Sequence, residues 1–180
     1  MLELIYFSDV SQLVNHDIKK IAFNKNNRLI TNDMAVAFQF DMLEIEYIDE
    51  WTFLNERDIE KNKETAHHLA KNWWNEAFYS TAYKGFPLSD IVQQDLVYSF
   101  EACLNARVVY KRLFEAYSVD KISGYFLPSV PVIRTGPSPA IKAVQSVTQA
   151  ILFYMAANHG IQIERLSAIS NGFQQPICEC

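Results

Sequence analysis

Apolar runs and amphipathic stripes alternate along this chain. Residues 2–7, LELIYF, are apolar enough for a buried strand, with Ser8 and Asp9 behind them as loop or cap residues. Residues 11–22 place Leu13, Val14, Ile18, Ile21 and Ala22 at helical spacing, and the polar stretch 24–27 breaks the pattern. A short strand is expected at 28–31, closed by Asn32 and Asp33, while 34–40 fits a short helix or an extended segment. The alternation LEIEYI over 43–48 predicts a strand with one wetter face. A helical region rich in charge comes next, over 49–79, then a turn at Gly85 and Pro87, then a second long helix over 89–117. Residues 121–127 predict a strand and 139–158 a helix, with Pro139 as its first residue, Ser138 as its cap and Gly160 beyond its end. The last strand is expected at 161–166.

Strands that alternate with amphipathic helices imply a mostly parallel sheet covered on both faces. The expectation is an α/β, Rossmann-like three-layer α/β/α sandwich with about five strands and a long helical insertion between the third and fourth. One domain spans 1–170, and 171–180 form a tail without a period. Leu4, Ile5, Ile122, Tyr125, Ile151 and Leu152 are expected in the core.

Composition narrows the function classes. Of 180 residues, 49% are hydrophobic, enough for a real core, and the formal net charge is -5 with no basic stripe, which speaks against nucleic acid as a partner. The longest apolar run, 150–157, is far short of the roughly 20 residues of a membrane span, and the first residues lack a signal-peptide pattern, so a cytoplasmic protein without a transmembrane segment is expected. Cys103 sits in an apolar helical pattern, and Cys178 and Cys180 are too few for a structural zinc site, so neither a disulfide framework nor a metal is expected.

In such folds ligands bind beyond the carboxyl ends of the strands. Ser8 and Asp9, Asn32 and Asp33, Asp49 to Trp51, and the loop 129–138 should therefore gather along one edge. Within that loop Arg134, Thr135, Gly136 and Ser138 combine a guanidinium, a glycine and a helix N-terminus, a chemistry suited to phosphate or carboxylate. The same residues also suit a plain helix cap with a solvated arginine, and both readings stand. No GxGxxG follows the first strand, which speaks against NAD or FAD; the absence of GxxxxGK[ST] speaks against a P-loop NTPase and that of GxSxG against an α/β-hydrolase, and no cofactor is expected. His16, His67, His68 and His159 have no visible catalytic partner, and no general base or nucleophile stands out. Trp73, Trp74, Phe78, Tyr79, Tyr83 and Phe86 either seal two helices onto the sheet or anchor a partner. The acidic stretch 49–64 reads as a solvated helix face.

The opening LELIYFS, the insertion KNWWNEAFYSTAYKGFPLSDI, the step VDKISGYFLP and the closing HGIQIERL resemble, over about residues 1–166, the N-terminal half of GT-B-type glycosyltransferases of bacterial surface-polysaccharide pathways. The resemblance implies an acceptor-side domain, inactive alone, whose nucleotide-sugar half is a second domain. It also implies a carbohydrate or phosphate-containing ligand, and a partner domain or second copy. A stand-alone small-ligand or nucleotide-binding module, and an interaction domain built on the aromatic helical turn, are the alternatives.

Overall fold

A computed structural model describes residues 1–77, 82–83, 86–87, 89–125 and 139–166; for 15, 73–77, 82–83, 86–87, 89–93 and 139–147 the description is of backbone only. The chain builds β1 (Glu3–Phe7), α1 (Ile18–Ala22), β2 (Asn27–Thr31), α2 (Met34–Met42), β3 (Tyr47–Asp49), α3 (Glu56–Ala77), a ribbon of β4 (Ala82–Tyr83) and β5 (Phe86–Pro87), α4 (Ser89–Ala116), β6 (Lys121–Gly124), α5 (Pro139–Asn158) and β7 (Gln162–Arg165). Five strands form one sheet in the order β3-β2-β1-β6-β7, and every pairing in it is parallel. The fold is α/β and Rossmann-like. The chain steps outward from β1 to β3, then returns across α3 and α4 to lay β6 against the other side of β1. The strand order therefore reverses between β1 and β6.

Alternate strand residues serve two cores, as the two-residue period requires. Leu4, Ile30, Ile48 and Ile122 pack with Val109, Tyr110 and Leu113 of α4 and Leu152 and Ala156 of α5. Ile5, Phe7 and Leu29 pack instead with Ile18 of α1 and with Val36 and Phe40 of α2. At 28 residues α4 is ~42 Å long, while β1 spans only ~17 Å. The excess explains a third cluster, in which Val97 of α4 meets Ala66 and Ala70 of α3. The insertion packs on itself where it outruns the sheet, and Asn62 Nδ2 donates to Asn105 Oδ1 at 2.9 Å across it. No helix among the described residues is long and apolar enough to cross a membrane.

Several boundaries depart from the sequence reading. The single helix expected over 11–22 is a 3-10 helix, Val10–Asn15, and then the short α1. His16 is extended between them, and Asp17 caps the second piece by accepting from the Lys20 amide. The strand expected from residue 43 begins only at Tyr47. Leu43 and Glu44 instead close α2, with Glu44 at φ 55 and the Ile45 amide donating back to the Phe40 carbonyl. The ambiguity at 34–40 resolves as helix. Met34, Phe38 and Met42 are exposed while Val36 and Phe40 are buried, so α2 is apolar on both sides and shows no helical stripe. Of the expected core, Leu4, Ile5, Ile122 and Leu152 are buried, whereas Tyr125 and Ile151 are half-buried. Tyr125 stands just past the end of β6 and lines a cavity. Cys103 is half-buried, and His67 and His68 are both exposed on α3. Residues 126–127, the tail, and the side chains of the aromatic turn lie outside the described residues.

Candidate functional site at the strand-order reversal

The carboxyl ends of β1, β2 and β3 each run into an aspartate that caps the next helical turn. Asp9 accepts from the Ser11 amide at 2.7 Å, Asp33 from the Ala35 and Val36 amides at 2.9 Å, and Asp49 from the Trp51 amide at 2.9 Å. Each carboxylate satisfies helix-start donors that would otherwise be orphaned. The bond network at Asp9 holds its carboxyl below the usual range, through Ser11. Ser8 is engaged as well: its amide donates to Gln12 Oε1 at 2.9 Å and its hydroxyl accepts from Gln12 Nε2 at 3.1 Å.

Between β1 and β6, where the order reverses, residues at the ends of β1, β2 and β6 line a cavity of about 260 Å³. Tyr6 and Ser8 enter from β1, Asp9 and Gln12 from the turn behind it, Asn32 from the end of β2 and Tyr125 from beyond β6. Tyr110 of α4 and Thr148 and Gln149 of α5 close it. Hydroxyls and amides dominate, three of the lining side chains are tyrosines, and no described lining residue is a cation. Tyr125 is fixed from behind by a hydrogen bond between its hydroxyl and His16 Nε2, and His16 in turn lies edge-on to Phe7. A second cavity, about 460 Å³, opens at the amino ends of β2 and β3 among Lys19, Phe23, Arg28, Glu44 and Glu46. It is larger, but it faces away from the strand ends where this class of fold places ligands.

Glu50 lies one layer behind the first cavity. It opens the 3-10 helix Glu50–Phe53 after β3 and is only 5% exposed. Tyr6 donates to its Oε2 at 3.5 Å, a long bond, and Oε1 has no hydrogen-bond partner among the described residues. Burial disfavours the anion and raises the carboxyl to about 7; Tyr110, Asn32 and Tyr6, in that order, pull it back toward the ionised form. Those three residues also line the cavity, so they connect it to the carboxyl. Burial, and then the charge of Glu50, push the Tyr6 and Tyr110 hydroxyls well above their ordinary range. Both phenols therefore remain protonated at neutral pH. The turn is tied to α4 by Arg112, whose Nη1 donates to the Phe53 carbonyl at 2.6 Å and whose guanidinium grips Asp58 with both nitrogens.

Of the residues expected along one edge, Ser8, Asp9 and Asn32 line the cavity; Asp33 and Asp49 to Trp51, at the ends of β2 and β3, are not among its described lining residues, and 129–138 lie outside the described residues. Arg134, Thr135, Gly136 and Ser138 lie outside the described residues. Reading 49–64 as solvated missed Glu50, whose i+1 neighbour Trp51 is exposed while Glu50 itself points inward. Tyr110 was missed too, although it falls on the α4 stripe with Ala106 and Leu113. Among the described residues no group of three His, Cys, Asp or Glu side chains is placed to hold a metal ion. No family model, curated protein or solved structure matches this chain.

Proposed function

We propose that this chain is a binding domain for a small, hydroxyl-rich molecule of the carbohydrate class, seated in the cavity between β1 and β6. The observation that carries the reading is the lining itself: Ser8, Gln12, Asn32, Thr148, Gln149 and three tyrosines converge at the reversal of strand order. Neutral donors and acceptors of this kind match a polyol, and tyrosine rings offer apolar faces with polar tips. A phosphate would meet Asp9 in the wall, Glu50 behind it and no lining cation among the described residues. The reading agrees with the resemblance to the acceptor-side half of GT-B-type glycosyltransferases. On that view the domain holds an acceptor sugar and a separate domain would bring the activated donor.

Saturation-transfer NMR on the full chain, with D-glucose and inorganic phosphate as probes, tests it. Glucose signals that weaken in Asn32→Ala and Tyr110→Phe are expected. Transfer to neither probe, or a phosphate site in this cavity without a sugar site, would overturn the proposal.

A further inference from the structure

The carboxyl group of Glu50 has no place in a simple binding site, because it does not line the cavity. Its surroundings are specific nonetheless. Tyr6 faces it from β1, Asn32 from the end of β2, Tyr110 from α4 and Asp49 from its own segment; Asp33 acts on Tyr6 from the start of α2. Among the described residues of α5, those that line the cavity are the neutral Thr148, Gln149 and Leu152. No cation is among these groups.

We infer that Glu50 sets the hydrogen-bonding polarity of the cavity through Tyr6 and Tyr110, and so selects a ligand that donates hydrogen bonds when it is ionised. The inference rests on reading the cavity as a ligand site. As an acceptor-only anion, Glu50 draws the phenolic protons inward, and the phenol oxygens then offer only lone pairs to the cavity. As a neutral acid it can donate its own proton, and a phenol is released to donate toward the ligand. Oε1, which has no hydrogen-bond partner among the described residues, makes the anion costly, since a buried oxygen without a donor loses its hydration and gains nothing. A carboxyl poised at about 7 can change state within the ordinary pH range. A ligand that donates to the two phenols favours the anion, so its binding releases a proton. Its affinity then rises with pH through the neutral range, by at most about tenfold per pH unit for one proton.

The full chain, labelled with carbon-13 at the glutamate carboxyls and the tyrosine ζ carbons, is titrated from about pH 5 to about pH 9 without ligand. The expected result is one shared midpoint for Glu50, Tyr6 and Tyr110, with the tyrosine responses lost in Glu50→Gln. A Glu50 midpoint in the ordinary carboxylate range, or tyrosine carbons that stay still while Glu50 titrates, would overturn the inference. D-Glucose is then added below and above the midpoint. Tighter binding above it in the wild type, with no difference in Glu50→Gln, supports the selector; equal pH dependence in both proteins refutes it. Failure of glucose to bind at any pH refutes the ligand reading instead, and the tyrosine titration still decides whether Glu50 controls the two phenols. Tyr6→Phe, which keeps the ring, should abolish one tyrosine response and leave Tyr110's, which guards against a variant that merely misfolds.

Discussion

At the scale of single residues, burial decides most of what can be measured. Ile5 is 7% exposed and packs beneath α1 and α2, so Ile5→Ala should lower the unfolding free energy by about 2–5 kcal/mol in a denaturant titration. A loss below about 0.5 kcal/mol would mean the site is not packed. Glu50 gives an effect of unusual sign. Its carboxyl is raised from an ordinary value of 4.5 in the open chain to about 7 in the folded one. Between those values the native state holds a proton that the unfolded state has lost, so stability falls as pH rises from about 4.5 to about 7, and levels off above. The fall should be about 3 kcal/mol at most. Glu50→Gln should flatten that slope and leave the protein more stable than the wild type near pH 8. Urea titrations across the pH range check this, and a wild-type stability that climbs over the same window would contradict it. Nothing in the local pattern announces this residue. An acid beside Asp49 and Trp51, ahead of a charged helix, reads as solvated, and only the packing of α4 over β3 puts it inside.

Among the secondary elements, capping and tethering matter more than helical pattern. Arg112 joins α4 to the carbonyl of Phe53 and to Asp58, and so holds the turn that carries Glu50. Arg112→Ala should lower the melting temperature by a few degrees and move the Glu50 titration away from its wild-type midpoint. An unchanged midpoint would mean that the turn is held by other contacts. The long helices α3, α4 and α5 and the strands β1, β2 and β6 were legible because their residues follow a period of 3.6 or form compact apolar runs. The short pieces were not. The helix α2 is apolar all round, so it carried no stripe, and the alternation of Leu43, Ile45 and Tyr47 came from a helix end followed by a strand rather than from one strand. In the same way, the break at His16 and Asp17 lay inside what looks like a continuous stripe, because the cap and the His16–Tyr125 contact override helical propensity there.

For the molecule as a whole, topology places the site. A parallel sheet ordered β3-β2-β1-β6-β7 must open a crevice where neighbouring crossovers diverge, and the polar cavity lies there. The position of the cavity was therefore readable from the order of elements, and Ser8, Asp9 and Asn32 in its lining were readable with it. Tyr110, Thr148 and Gln149 were not, because they reach the cavity from helices whose placement depends on long-range packing. The proposed function ties a small hydroxyl-rich ligand to one location, the carboxyl ends of β1 and β6. Backbone amide shifts of the labelled full chain during a D-glucose titration test it most directly. The largest changes are expected at Ser8, Gln12, Asn32, Tyr125 and Gln149. Changes centred on Phe23, Arg28 and Glu44 at the opposite cavity, or no changes at all, would contradict it.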